Sequence, residues 1–172
     1  MLLFWLFAAI VLLFGFVVFR GAPYVPSHRT DIAQAFDELY PLSDTDVVVD
    51  VGSGDGIVLR MASKRGARAV GYELNPALVL IARFLSRHDS RVTVFLKDFW
   101  LAPLPSDVTV VYGFAVSRDM PKMTAKMQRE ATRLGRTLWY VGYGSELSGR
   151  EAEKTLGASR LYAFKPLQQG KA

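Results

Sequence analysis

The sequence has no cysteine among its 172 residues, which excludes disulfide bonds, thiolate zinc sites and cysteine nucleophiles. It has only two histidines, His28 and His88, far apart in the chain, so we predict no metal site. Disorder is excluded because 51% of the residues are hydrophobic and 12% are aromatic. The length fits one domain with a short extension.

Acidic residues are outnumbered, 16 against 21 lysines and arginines, which gives a net charge of +5. Such an excess suggests an anionic neighbour, either nucleic acid or a membrane surface. Basic residues three or four apart predict one basic helix face, and we expect anionic lipid as its partner: Arg118, Lys122, Lys126, Arg129 and Arg133. An ordinary solvated face is the alternative. Nucleic acid is not expected, because no RNA-binding motif is present.

The longest uncharged run is at the N-terminus, from Leu2 to Phe19. As a helix it would be about 27 Å long, enough to span a hydrocarbon core. No positive residue precedes it and Arg20 follows, which favours an uncleaved anchor over a signal peptide; a buried core helix is the remaining alternative. We predict a single-pass membrane protein anchored by residues 1–20, with its domain on the cytoplasmic or equivalent inner side.

Residues 21–30, which include Pro23 and Pro26, predict a stiff linker over the active site, and 31–172 predict the domain. There, β-branched runs alternate with amphipathic segments. Strands are predicted at 46–51, 68–72, 91–95, 108–112, 137–141 and 159–164. Helices are predicted after an N-cap at Thr30, at 57–64, from the Asn75 cap to 87, and at 121–134. This alternation predicts a doubly wound α/β fold with a mostly parallel sheet.

A glycine loop, DVGSGDG (50–56), follows the first predicted strand. A dinucleotide-binding fingerprint would need a third glycine where Ile57 stands, and the Gly-Lys-Ser/Thr of a P-loop is missing. Acids follow the next two strands, Glu73 after the second and Asp98 after the third. An acid at the end of a second strand can accept both hydroxyls of a ribose. Asp98 can accept from an exocyclic amine such as adenine N6, with Phe99 packed on the ring.

This constellation resembles the class I S-adenosylmethionine-dependent methyltransferases, a Rossmann-like family, over residues 24–134. YVP (24–26), VDVGSGDG (49–56) and GYELNP (71–76) further resemble the membrane-anchored protein-lysine methyltransferases of mitochondria and their bacterial relatives. Known members of that family methylate lysines of the ATP synthase c-subunit and the adenine nucleotide carrier. The resemblance therefore implies S-adenosylmethionine as cofactor and a lysine of a membrane protein as substrate.

The resemblance also implies site residues. The loop would hold the methionine end of the cofactor, Glu73 the ribose and Asp98 the adenine amine. The expected cofactor-binding set is Asp50, Gly52, Ser53, Gly54, Gly56, Glu73, Leu74, Asn75, Asp98 and Phe99. From position alone, Tyr112 and Gly113 at the end of the fourth strand and Tyr24 in the linker are candidates for shaping the amine pocket, and no residue is identified as a general base. The [DNS]-P-P-[YFW] signature of adenine-N6 methyltransferases is absent after the fourth strand, which weakens a DNA-adenine interpretation.

Two other functions remain open from the sequence. One is a methyltransferase of a membrane-dissolved small molecule such as a quinone or a lipid. The other is a non-catalytic, membrane-tethered binding module that keeps the fold. The intact glycine loop and the two downstream acids count against the second, because a module that binds no cofactor does not need them.

Overall fold

The computed structural model describes residues 1, 4–5, 28–115, 117–147 and 149–167. Helix α1 covers Arg29–Gln34 and continues as a π-helical segment through Ala35–Leu39. The other helices are α2 (Ile57–Ser63), α3 (Pro76–Leu85) and α4 (Met120–Leu134), and a 3-10 turn at Ser117–Asp119 precedes α4. The strands are β1 (Val47–Val51), β2 (Arg68–Glu73), β3 (Val92–Leu96), β4 (Val110–Ala115), β5 (Leu138–Gly144), β6 (Lys154–Leu156) and β7 (Ser159–Phe164).

The strands form one sheet in the order β3-β2-β1-β4-β5-β7-β6. The first five are parallel, and β7 pairs antiparallel with both β5 and β6. From β1 the chain continues to β2 and β3 on one side of β1, and it then crosses back to form β4 on the other side of β1. This reversal opens a crevice at the carboxyl end of β1, where ligands bind in such sheets. The predicted doubly wound α/β architecture is confirmed.

Both faces of the sheet are covered, which explains why β1 is a continuous β-branched run rather than an alternating one. One face packs against α1, α2 and α3, with Ile32 and Phe36 of the first helical segment fully buried. The opposite face packs against α4 through its methionines, Met120, Met123 and Met127. The helices thereby fix the strand ends that carry the candidate site.

Several boundaries differ from those predicted. The first helix begins at Arg29 with His28 in the N-cap position, so Thr30 lies inside the first turn and does not cap the helix. Strand β6, of three residues, was not predicted, because three residues carry too little periodicity to be recognised. The Asn75 cap is confirmed, since its side-chain oxygen accepts the backbone N–H of Ala77 and Leu78.

The predicted anchor and most of the linker lie outside the described residues. Among the residues described here, from 28 onward and at positions 1, 4 and 5, no helix is both long and apolar enough to cross a membrane. The membrane anchor over 1–20 therefore stays a prediction from the sequence.

Candidate active site

The glycine loop leaves β1 in a conformation that only glycine adopts readily. Gly52, Gly54 and Gly56 have φ values of 72°, 53° and 81°, in the left-handed region. The backbone N–H groups of Gly52 and Ser53 donate to the carbonyl of Tyr72 at 2.9 and 3.1 Å. The loop is thus fastened to the end of β2, and its backbone is free of side chains at the three glycines.

Glu73 fastens the loop from the other side. One carboxylate oxygen accepts the N–H of Gly54 at 2.9 Å. The other accepts the N–H of Leu74 at 2.8 Å and that of Asn75 at 2.7 Å. A carboxylate has about four lone-pair sites, so one remains for a further donor such as the predicted ribose hydroxyl. Glu73 therefore links the loop, the end of β2 and the start of α3, a role that was missed in the sequence analysis.

Asp50 is buried at 4% exposure, near the end of β1. Burial raises the pKa of its carboxyl to about 8, and the nearby charges of Glu73 and Asp55 add to the effect. Glu73 and Asp55 thus bring negative charge near Asp50, and Asp55 is itself paired with the Arg60 guanidinium at 3.3 Å. Such a site fits a cofactor that carries positive charge, and S-adenosylmethionine carries both an ammonium and a sulfonium.

The raised pKa gives a stability prediction with a definite sign. The folded protein keeps the Asp50 proton up to about pH 8, whereas the unfolded chain loses it near the ordinary aspartate pKa of 3.8. Stability therefore falls as the pH rises between these values, by at most about 1.4 kcal/mol per pH unit. Asp50→Asn should raise the melting temperature of the cofactor-free protein, with a gain that grows from pH 4 to pH 8.

Asp46 supplies the control for that measurement. Burial alone would raise the pKa of its carboxyl, but hydrogen bonds from Ser43, Thr109 and Tyr40 outweigh burial and leave the pKa lowered. The contribution of Asp46 to folding stability is therefore present above the pKa that this carboxyl has in the unfolded chain, and it is lost as the pH falls. Asp46→Asn should destabilise the protein at pH 7, and a similar pH dependence in the two variants would contradict our assignment of Asp50.

Ser53 lies at the closest approach between the loop and β2. A Cβ on Gly71 would lie 2.5 Å from Ser53 Oγ and 2.7 Å from Leu59 Cδ1, so the strand requires glycine there. The Ser53 hydroxyl is buried and has no hydrogen-bond partner among the described residues. An unsatisfied buried hydroxyl is costly, and a polar ligand group at the loop would relieve that cost.

Asp98 and Phe99 follow β3 at the outer end of the crevice. Asp98 is half-buried, and one of its oxygens accepts the N–H of Trp100 at 2.8 Å. Phe99 is 4% exposed, with its ring centroid 5.2 Å from that of Trp100 and 6.4 Å from that of Tyr72. Phe99 is thus largely a core residue, and its predicted contact with adenine stays a prediction.

The three residues predicted to shape the amine pocket have different outcomes. Tyr112 is 1% exposed, and its ring packs edge-on against Phe36 in the core, 5.6 Å between centroids. Gly113 is buried next to it in β4, level with Val51 of β1. Tyr24 lies outside the described residues. Because β4 continues to Ala115, Tyr112 lies inside the core and not at the strand end, and its predicted place in the amine pocket stays a prediction.

Two aromatic residues that the sequence analysis missed do lie at the strand ends. Phe114 of β4 and Tyr143 of β5 are neighbours, with ring centroids 6.0 Å apart. The Tyr143 hydroxyl donates to Asp31 of α1 at 2.7 Å, and this bond raises the pKa of the phenol. The predicted β4 and β5 each end three residues before the observed strand end, so both aromatic residues fell beyond the predicted strands.

The predicted basic stripe on α4 is wrong in one member. Lys126 is 2% exposed, and its ammonium donates to the Ala102 carbonyl at 2.7 Å beside Glu130. Burial lowers the pKa of Lys126. Arg133 donates to Glu130 and to the Leu104 carbonyl. The exposed cations of the stripe that make no such bond to the core are Arg118, Lys122 and Arg129. A helical repeat of basic residues did not reveal that one of them satisfies a buried carboxylate.

Comparisons with known proteins identify the family of this chain. The family model of the ANTKMT methyltransferase domain matches residues 50–138, from Asp50 to the start of β5. The ATP synthase c-subunit lysine N-methyltransferase of Xenopus laevis is 37% identical over 121 residues, which are 67% of this chain and 51% of that protein. The human protein of the same name is 36% identical over 111 residues, 63% of this chain and 46% of that protein.

Among solved structures, an RNA methyltransferase from Salinibacter ruber in complex with S-adenosyl-L-homocysteine superposes with a TM-score of 0.74. It is 23% identical, and the match covers 84% of this chain and 95% of that one. At this identity the likeness shows the fold alone. The family match confirms the predicted methyltransferase family. The chain spans about half the length of the curated relatives it matches.

Proposed function

Since this chain belongs to the ANTKMT methyltransferase family, we propose that it transfers a methyl group from S-adenosylmethionine to a lysine side chain of a membrane protein. The observation that carries the proposal is the joined arrangement of loop, Asp50 and Glu73 at the reversal point of the sheet. The proposed substrate is supported by the names of two relatives, each an ATP synthase c-subunit lysine N-methyltransferase. In this proposal the acceptor amine enters the same crevice as the cofactor.

The chain's own residues bind and orient rather than form a covalent intermediate. When bound, the cofactor supplies an electrophilic methyl group on its sulfonium. The glycine loop allows the backbone to approach it, and Glu73 keeps that loop in place. Methyl transfer is an in-line displacement, so the amine must be aligned with the methyl group and shielded from water.

A lysine must lose its proton before it can attack. At pH 7, with a pKa near 10.4, this costs about 4.6 kcal/mol. Partial burial and a nearby positive charge both lower an amine's pKa. We place the amine beside Phe114 and Tyr143, because these rings form an apolar wall at the ends of β4 and β5, the two strands next to β1 on the side away from Glu73.

We also propose that residues 1–20 anchor the protein in the membrane, with the domain on the cytoplasmic or equivalent inner side. The support is the uncharged run of eighteen residues from Leu2 to Phe19 with Arg20 directly after it. An anchored enzyme meets membrane proteins at a high local concentration. This location fits a substrate in the same bilayer.

The test is to incubate membranes with the full-length protein and S-adenosylmethionine labelled on its methyl group. We expect the label in the protein fraction, and methyl-lysine after complete hydrolysis of that fraction. Glu73→Ala serves as the inactive control, since it removes the carboxylate that holds the loop. Label in the lipid extract would point to a quinone or lipid substrate, label in nucleic acid to an RNA substrate, and either would overturn the proposal.

A further inference from the structure

Helix α3 and the edge strand β3 expose a broad apolar surface that the cofactor site does not explain. On α3, Val79 and Ala82 face the core at 2% and 0% exposure. The other side of the helix is also apolar, and its large side chains are 47–66% exposed. Leu96 of β3 lies beside it and is 52% exposed. We call this surface the α3 face, and its residues are Leu80, Ile81, Phe84, Leu85 and Leu96. A helix that is apolar all round needs a second partner beyond its own core.

The members of the α3 face are contiguous. Leu80 and Phe84 are four residues apart on the helix, as are Ile81 and Leu85, so each pair lies side by side. Leu96 lies on the same side of the sheet as Val94, because side chains alternate along a strand. The Arg83 guanidinium reaches from α3 to the Val94 carbonyl at 2.7 Å and fixes the helix against this strand.

Basic side chains surround the α3 face. The Arg87 guanidinium lies 4.3 Å from the centre of the Phe84 ring. Arg91 precedes β3, and the one acid between α3 and β3 is Asp89. Within the described part of the chain, Arg87 and Arg91 form no ion pair. The surface is thus apolar at its centre and cationic at its border.

We propose that the α3 face docks on an anionic lipid bilayer. Apolar side chains at the centre would enter the interfacial region, and the bordering cations would meet the headgroups, at about 1 kcal/mol for each basic residue near the surface. A second copy of the chain fits less well. A two-fold interface brings the same patch against itself, so Arg87 and Arg91 would face like charges.

The position of the chain's N-terminal part agrees with this docking. Helix α1 packs beside β5, where Asp31 bonds Tyr143, and β5 lies four strand spacings from β3, about 19 Å. The seven residues from 21 to 27 reach at most about 24 Å. An anchor that precedes them and the α3 face can therefore contact one bilayer. Since α3 starts shortly after Glu73, docking would also bring the cofactor crevice close to the membrane surface.

The absence of cysteine allows a direct test on the full-length chain. Leu80→Cys on the α3 face and Ala125→Cys on the exposed side of α4, the helix face for which the sequence also predicts anionic lipid, each carry one environment-sensitive fluorophore. Each protein is placed in phosphatidylcholine nanodiscs, with or without phosphatidylserine, that contain lipids with quenchers on their acyl chains. We expect several-fold stronger quenching at position 80 than at 125, increased by phosphatidylserine and reduced by salt.

Charge reversal provides the second arm. Arg87→Glu combined with Arg91→Glu should remove most of the quenching at position 80 while S-adenosylmethionine binding, measured by calorimetry, stays unchanged. Equal quenching at both positions, or stronger quenching at 125, would overturn the proposal. So would shielding of position 80 that depends on protein concentration and persists in detergent, because it would identify a second copy as the occupant. None of these readouts involves methyl transfer, so they test membrane docking independently of the proposed substrate.

Discussion

Glu73→Ala is expected to weaken S-adenosylmethionine binding at least about 100-fold and to lower the melting temperature as well. The substitution removes the acceptor of three backbone N–H groups, those of Gly54, Leu74 and Asn75. Hydrogen bonds to a charged group contribute about 1.5–3 kcal/mol each, and an unsatisfied buried donor costs a similar amount. Loss of the Gly54 bond loosens the middle of the loop, although Gly52 and Ser53 stay bonded to the Tyr72 carbonyl. A loss of about 2.7 kcal/mol corresponds to a 100-fold change in affinity.

The measurement is calorimetric titration of the cofactor, paired with thermal melting of the cofactor-free protein. Glu38→Ala is the matched control, because this exposed glutamate on the π-helical segment makes no hydrogen bond among the described residues. It should change neither quantity. If Glu73→Ala binds the cofactor normally, the loop does not depend on the carboxylate and the crevice is misplaced.

The sheet could be predicted from the sequence because its signals are local. The run from Val47 to Val51 is rich in β-branched residues, and the Asn75-Pro76 pair marks a helix start in both its cap and its first residue. The glycine loop and the acids after β2 and β3 could also be recognised, since each lies at or just after a strand end. These features need only a few consecutive residues to be recognised.

The remaining features depend on contacts between distant segments. Glu73 bonds Gly54 across 19 residues, and Tyr143 bonds Asp31 across 112. Lys126 has the spacing of a surface residue, yet Glu130 and the Ala102 carbonyl keep it inside. No periodicity in the sequence reports such pairings, because they are fixed by how the helices pack on the sheet. The same holds for α3, because its continuous apolar sequence does not indicate which residues face the core and which are exposed.

Deleting residues 1–19 is expected to leave cofactor affinity unchanged and to reduce methylation of a substrate in native membranes by about 10²–10⁴-fold. The cofactor-site residues lie between Asp50 and Phe99, so the deletion removes none of them. The truncated enzyme is no longer held at the membrane, because the seven residues from 21 to 27 keep an anchored domain within about 24 Å of the bilayer. Rates are measured at substrate levels below saturation, where they follow local concentration.

An unrelated transmembrane helix in place of residues 1–19 distinguishes tethering from recognition. If the native run acts only as an anchor, the chimera should recover most of the activity, since the linker and domain are retained. Recovery would fail if the run itself contacted the substrate. Equal activity of the truncated and full-length enzymes on native membranes would instead contradict the anchor. It would direct the search to a soluble substrate, because a domain that gains nothing from confinement does not meet its substrate at the bilayer.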